Sequence, residues 1–110
     1  MTIILETTSV DESGRLVHAE DAAAQLCLAF ERLEAALAAR GLEASSIVRL
    51  RVRARAPADA ADLADLVAEW LDGAPVPVDL IDVAHLALPG TLVELSAQVI
   101  PTSPDPKDRP

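Results

Sequence analysis

The sequence is poor in the residues on which several protein classes depend. It contains no tyrosine, one phenylalanine and one tryptophan in 110 residues, and its single cysteine, Cys27, has no partner for an internal disulfide. Neither a cysteine pair nor a histidine cluster offers the spacing of a zinc site. We therefore expect a protein of the reducing cytoplasm with no disulfide, no metal site and no cofactor.

Positive charge is also scarce. Nine lysine and arginine residues stand against eighteen aspartate and glutamate residues, which gives a formal net charge of −9. This sign is opposite to the one that neutralises phosphates, and Phe30 and Trp70, both expected in the core, leave no platform on which bases could stack. The sequence also has no apolar run of about 18 residues and no N-terminal export signal. We therefore expect no nucleic-acid partner and no membrane span.

Hydrophobic residues make up 51% of the chain, which excludes a mainly disordered protein. At this length roughly two thirds of the unfolded surface can be buried, so a monomer is marginal and an oligomer is favoured. We predict one domain over residues 1–100. Residues 101–110 include four prolines and no large apolar side chain, which predicts a disordered, proline-rich tail.

Hydrophobic periodicity predicts two helices and five strands. In the first helix, Leu26, Phe30, Leu33 and Leu37 recur at helical spacing and form one apolar stripe. The helices are predicted at residues 21–39 and 58–71, and the strands at 2–8, 16–18, 47–55, 78–86 and 91–100. This β-β-α-β-α-β-β order predicts an α+β fold, in which a single mixed sheet carries both helices on one face.

The clearest strand covers residues 47–55, which read IVRLRVRAR. Val48, Leu50, Val52 and Ala54 alternate strictly with arginines, which indicates a sheet with one apolar and one charged face. The charged face should carry Arg49, Arg51, Arg53 and Arg55, together with Glu6, Glu94, Ser96 and Gln98. Two interpretations stay open: a solvated face with cross-strand ion pairs, or a self-association surface.

Three stretches of the chain have the order and character of one protein family. They are residues 14–25, GRLVHAEDAAAQ, residues 26–52, LCLAFERLEAALAARGLEASSIVRLRV, and residues 81–100, IDVAHLALPGTLVELSAQVI. Over residues 3–100 the chain resembles the RidA/YjgF family of small homotrimeric proteins. The resemblance implies a chorismate-mutase-like fold, a sheet backed by two helices, and a homotrimer that packs its sheets inward.

The resemblance also implies a chemistry from which this sequence departs. Active RidA-type deaminases hydrolyse imines and enamines; an arginine early in the penultimate strand holds the substrate carboxylate, and a glutamate on the last strand helps to place water. Val78 stands at the arginine position, Ser96 at the glutamate position and Ala64 at a usual asparagine position. Valine cannot donate hydrogen bonds to a carboxylate, and serine alone cannot act as a base, so we expect the usual hydrolysis to be lost.

We therefore assign no catalytic residue and consider which groups could bind a ligand. An arginine of the charged face could hold a small-molecule carboxylate, although pairing with Glu6 or Glu94 is the alternative. His18 and His85 stand alone and are expected at the surface, and Cys27 is expected as a small core residue. The ligand-binding candidates are Arg49, Arg51, Arg53, Glu94, Ser96 and Val78.

Three functions remain open. The first is a RidA-like homotrimer whose clefts between subunits bind a small metabolite or perform altered chemistry in a metabolic pathway. The second is an active enamine or imine deaminase, a hydrolase that uses a substitute arginine. The third is a non-catalytic structural or protein-binding trimer. An endoribonuclease, a further activity described for the family, is disfavoured by the acidic charge and the lack of exposed aromatic residues.

Overall fold

The chain forms one mixed sheet with two α-helices. The computed structural model describes residues 1–55, 60–86 and 88–101. Within them the elements are β1 Ile3–Thr7, α1 Ala22–Ala39, β2 Ile47–Ala54, α2 Ala60–Leu71, β3 Val78–Asp82 and β4 Val93–Val99, with a 3-10 turn at Ala44–Ser46 before β2. The predicted α+β class is confirmed. Residues 102–110 of the tail predicted at 101–110, and the predicted start of the second helix at residue 58, lie outside the described residues.

The strand order in the sheet is β1-β4-β2-β3. Strand β4 is antiparallel to both β1 and β2, whereas β2 and β3 are parallel and are joined through α2. Apolar side chains from both helices and from the strands form one buried cluster on one side of the sheet. This arrangement confirms that both helices cover the same face; within the described residues, no helix or strand covers the other face.

Helix α1 begins and ends at the signals in the sequence. The Asp21 carboxylate caps its start by accepting a hydrogen bond from the Ala24 amide at 3.0 Å. Beyond its end, Gly41 adopts a φ of 70°, which a glycine tolerates without steric cost. The predicted apolar stripe is buried along its whole length. Cys27, however, is exposed, because it lies one residue, about 100°, round the helix from the stripe; its predicted place in the core was wrong.

The beginning of β2 departs from strict alternation. A bulge between Ile47 and Arg49 shifts the register against β4, so Ile47 is buried at 4% exposure and Val48 is 39% exposed. The extra residue moves Val48 out of the core and lets Ile47 replace it. From Leu50 onward the predicted alternation is confirmed, because Leu50, Val52 and Ala54 are all buried.

Within the described residues, one predicted strand is absent and another is shorter than predicted, so the order of helices and strands is β-α-β-α-β-β rather than β-β-α-β-α-β-β. Residues 16–18 form no strand and contribute only an isolated bridge between Val10 and Leu16, and His18 has a φ of 61°, outside strand geometry. The penultimate strand ends at Asp82 rather than at residue 86, since the chain leaves the sheet on its way to the turn before β4. Among the described residues, neither helix combines the length and the hydrophobicity needed to cross a bilayer.

A buried glutamine at the start of α1 holds the loop that leads into β4. The Gln25 side chain is fully buried; its Oε1 accepts from the Leu92 amide at 2.7 Å and from the Val93 amide at 3.3 Å. Its Nε2 donates to the His18 carbonyl at 3.1 Å and to the Gly90 carbonyl at 3.4 Å. One amide therefore joins the loop before α1 to the loop before β4; we call this arrangement the Gln25 clamp.

Candidate ligand groove and the charged face of the sheet

The uncovered side of the sheet carries the predicted arginine row. The pairing of β2 with β4 places Arg49 opposite Gln98, Arg51 opposite Ser96 and Arg53 opposite Glu94, while β1 brings Glu6 opposite Ser96. Residues directly opposite each other in a ladder point to the same face. Seven of the eight polar side chains expected together therefore share one surface, which we call the charged face; Arg55, the eighth, lies one residue beyond the end of β2 and outside this pairing.

Arg53 pairs with both predicted carboxylates. Its Nη1 lies 3.4 Å from Glu94 Oε1, and its Nη2 lies 3.4 Å from Glu6 Oε2. The Glu94 side chain is 18% exposed, whereas that of Glu6 is 65% exposed. The pair of Arg53 with Glu94 is therefore better shielded from water than the pair of Arg53 with Glu6. Exposed ion pairs such as the latter contribute about 0–1 kcal/mol to the stability of the fold.

The other two arginines share a carboxylate that the sequence analysis missed. Arg49 approaches Asp79 with Nε at 2.8 Å and Nη2 at 3.4 Å from its two carboxylate oxygens, and Arg51 Nη2 lies 3.7 Å from the same group. The hydrogen bond from Arg49, aided by the positive charge of Arg49, lowers the pKa of Asp79. The same bond, aided by the negative charge of Asp79, raises the pKa of Arg49. Of Arg49, Arg51 and Arg53, Arg51 therefore has the longest ion pair, and its side chain is 49% exposed.

A groove of about 280 Å3 lies between α2 and the edge strand β3, on the helix-covered side of the sheet. Parallel pairing sets Val78 opposite Leu50 and Leu80 opposite Val52, so both face α2. With a neighbour on one side only, they remain 39% and 41% exposed. The described side chains that line this α2–β3 groove are all apolar: Ala64, Val67, Ala68, Leu71, Val78 and Leu80.

The three positions singled out by the family resemblance are divided between these two surfaces. Ala64 and Val78 meet in the α2–β3 groove, although they are fourteen residues apart in sequence. Ser96 lies on the charged face opposite Arg51, and Val78 faces the helices on the other side of the sheet. Ser96 and Val78 of one chain therefore do not line the same cavity.

Other groups that could carry chemistry are dispersed. His18 and His85 are both exposed. Within residues 1–55, 60–86 and 88–101, no three histidine, cysteine, aspartate or glutamate side chains come close enough together to hold a metal ion. Any ligand site built from the predicted residues must therefore use the charged face or the α2–β3 groove. These residues are Arg49, Arg51, Arg53, Glu94, Ser96 and Val78.

Comparison with known proteins identifies the family. The family model Endoribonuclease L-PSP matches residues 7–100. No curated protein sequence matches the chain significantly. Among solved structures, the Rid-family protein YyfB from Yersinia pestis is 29% identical, with a TM-score of 0.82 over 91% of this chain and 78% of that one.

Two more distant structures share the fold. Rv2704 from Mycobacterium tuberculosis, a member of the YjgF/YER057c/UK114 family, is 24% identical with a TM-score of 0.76 over 91% of this chain and 79% of its own. Escherichia coli TdcF, solved with bound serine, is 19% identical with a TM-score of 0.75 over 92% and 81%. With the family match over residues 7–100, the chain belongs to the Endoribonuclease L-PSP family, which is the YjgF/RidA family.

Proposed function

We propose that the chain assembles as a homotrimer and binds a small carboxylic acid in the clefts between its copies, without the imine hydrolysis implied by the family resemblance. The α2–β3 groove carries this proposal, because its lining is apolar throughout and includes both Ala64 and Val78. Such a groove accommodates a carbon skeleton, and none of its described side chains can transfer a proton. The proposed function is therefore metabolite binding rather than deamination.

The composition of the charged face supports assembly through that surface. Its three paired arginines meet three carboxylates within the chain, so a covering copy would leave none of these six charges without a partner. Ile4 is 55% exposed on this face, and Ile100, just beyond β4, is 41% exposed. A second copy would remove this apolar area from water, which favours association.

A cleft that uses both surfaces needs two copies, because the groove and Ser96 lie on opposite sides of one sheet. In the proposed trimer, the α2–β3 groove of one copy faces Arg51 and Ser96 of the next. Arg51 is suited to an incoming carboxylate, since it lies 3.7 Å from Asp79 and is half exposed. A guanidinium binds a carboxylate through two parallel hydrogen bonds. The apolar skeleton of the ligand would then lie along Val78.

Sedimentation over a range of protein concentrations tests the assembly. We expect a particle of three times the chain mass, and we expect Ile4→Glu to shift it towards the monomer. Ala61→Glu is the matched control, because Ala61 is exposed on α2 rather than on the charged face. A stable monomer at micromolar concentration, or equal effects of the two substitutions, would contradict assembly through this face.

Calorimetric titration with butyrate and butyramide tests the ligand class, since the two share a skeleton and differ in charge. A charge-assisted hydrogen bond contributes about 1.5–3 kcal/mol, which corresponds to about a tenfold to hundredfold preference for butyrate. Arg51→Gln should abolish this preference, whereas Arg40→Gln, at the exposed end of α1, should retain it. Equal affinity for both compounds would refute a carboxylate site at Arg51.

A deaminase with a substitute arginine is the second candidate. It is favoured by the position of Arg51, the most loosely paired of Arg49, Arg51 and Arg53, directly opposite Ser96. Freshly generated 2-aminoacrylate distinguishes the two functions. The binding proposal predicts no acceleration of its hydrolysis, whereas turnover that is lost in Arg51→Gln would establish the second candidate and overturn the first.

A further inference from the structure

Trp70, the single tryptophan of the chain, lies between two grooves on the helix-covered side of the molecule. The first, of about 330 Å3, is bounded by the 3-10 turn before β2 and by the loop after α2; we call it the tryptophan groove. Its lining is mainly apolar and includes Ala44, Ile47, Trp70, Leu71, Pro75 and Val76. It is separate from the α2–β3 groove, although Leu71 contributes to both.

The second groove, of about 240 Å3, runs between α1 and α2 and is rimmed by carboxylates; we call it the acidic groove. Glu31 and Glu34 line it from α1, and Glu69 lines it from α2. Trp70 is held here by two contacts: its ring stacks on Phe30 at a centroid distance of 4.4 Å, and its Nε1 donates to Glu34 Oε2 at 3.0 Å. A fixed indole therefore forms the boundary between an apolar surface and an acidic one.

The chain leaves the sheet beside the tryptophan groove. The Ile100 amide donates to the Ser46 carbonyl at 3.0 Å, and the neighbours of Ser46 in sequence, Ser45 and Ile47, both line the groove. Residues 102–110, TSPDPKDRP, lie outside the described residues. In polyproline II geometry, at about 3.1 Å per residue, these nine residues would extend over about 28 Å. Because Trp70 lines both grooves, a segment of this length can start in the tryptophan groove and reach the acidic one.

We propose that residues 102–110 dock on this surface of their own chain. Proline-rich segments bind aromatic-lined grooves because a preformed polyproline II helix loses little entropy on binding. Pro104 and Pro106 would occupy the tryptophan groove, which lies next to the point of exit, while Lys107 and Arg109 would reach the acidic groove. The order of residues in the segment thus matches the order of the two grooves along its path. Its prolines come first and meet the apolar groove, and its cations follow and meet the acidic one.

The charge pattern of the segment fits this orientation. A polyproline II helix has three residues per turn, so Pro104 shares an edge with Lys107, and Pro106 shares an edge with Arg109. Asp105 and Asp108 fall together on the third edge. The two cations can therefore face Glu31, Glu34 and Glu69 while both aspartates point away from them, which avoids like-charge contact.

Carbodiimide cross-linking tests the docking directly, because Lys107 is the only lysine of the chain. We expect peptide mapping to find Lys107 joined to Glu31, Glu34 or Glu69. Glu34→Gln combined with Glu69→Gln should reduce the yield of these links, whereas Glu12→Gln, in an exposed turn distant in sequence, should not. Links scattered over other carboxylates, or links that join only differently isotope-labelled copies in a mixed sample, would overturn the proposal.

Tryptophan fluorescence provides an independent measurement, since no tyrosine and no second tryptophan contributes to the emission. Removing residues 102–110 should shift the Trp70 emission to longer wavelength and increase its quenching by acrylamide. The charge reversals Lys107→Glu and Arg109→Glu together should act in the same direction without shortening the chain. Equal quenching of the full chain and both variants would show that the segment does not cover Trp70 and would refute the docking.

Discussion

Replacing Gln25 by leucine should destabilise the chain although the side-chain volume hardly changes. The Gln25 side chain is fully buried and joins two loops through four hydrogen bonds to backbone groups. Leucine has a similar volume, although its shape is branched, and it accepts and donates no hydrogen bond. The substitution therefore removes the hydrogen bonds of the Gln25 clamp while largely preserving the volume of the side chain.

The magnitude follows from the groups that lose a partner. The Leu92 and Val93 amides lose their acceptor, at 2.7 Å and 3.3 Å, and an unsatisfied buried donor costs about 1–3 kcal/mol. The His18 carbonyl still accepts from the Asp21 amide at 3.1 Å, and the bond to the Gly90 carbonyl is long at 3.4 Å, so these two groups add little. We expect a loss of about 2–4 kcal/mol in the free energy of unfolding.

Urea unfolding followed by far-ultraviolet circular dichroism, at one fixed protein concentration, measures this loss. Gln25→Glu is the matched variant: it keeps an acceptor, but a buried carboxylate has its folded pKa raised. Its stability should therefore recover as the pH falls and the neutral carboxyl can donate again, whereas Gln25→Leu should show no such recovery. A change of less than about 0.5 kcal/mol in Gln25→Leu would refute the clamp as a stabilising element.

Three further predictions concern single substitutions, two of them with a matched control. Leu33→Ala, in the buried stripe of α1, should cost about 2–5 kcal/mol in denaturant unfolding, whereas Cys27→Ala, at an exposed position, should change stability by less than about 0.5 kcal/mol. Gly90→Ala should lower the melting temperature more than Gly14→Ala. Both glycines have a positive φ, 87° and 85°, but of the two only Gly90 would place a Cβ 2.8 Å from a neighbouring side chain, that of Leu16. Because the pKa of Asp79 is lowered from its ordinary value of 3.8, its ion pair stabilises the fold above that value and is lost as the pH falls through the folded pKa; Asp79→Asn should flatten the acid limb of the stability profile.

Periodicity predicted the elements whose side chains face two different environments. In α1 the apolar stripe lies against the sheet, and in β2 residues 50–54 alternate between the core and the charged face. In both elements the spacing of the apolar residues therefore shows which side faces the core. The bulge at Ile47 was not predictable in this way. Ile47 and Val48 are both β-branched and apolar, and which of them is buried depends on the register against β4 rather than on either residue.

The contacts of the candidate site depended on non-local pairing. Asp79 meets Arg49 because β3 runs parallel beside β2, a register that requires the α2 crossover. The same crossover brings Ala64 to Val78. The family resemblance singled out both positions without showing that they share a groove. For Gln25, the sequence shows only a polar residue next to the apolar stripe of α1. Its role follows from its hydrogen bonds to the loop before β4, which the sequence does not reveal.

Strand alternation itself constrains how this fold can build a binding site. Adjacent positions in a strand point to opposite faces, and the ladder from β3 through β2 to β4 places Val78 on the helix side and Ser96 on the charged face. No rotamer of either side chain brings the two into one cavity across a packed sheet. A cleft that uses both positions must therefore take one from each of two copies. Ligand binding and assembly then become linked equilibria, because a ligand that contacts two copies stabilises the assembled state by its own binding free energy.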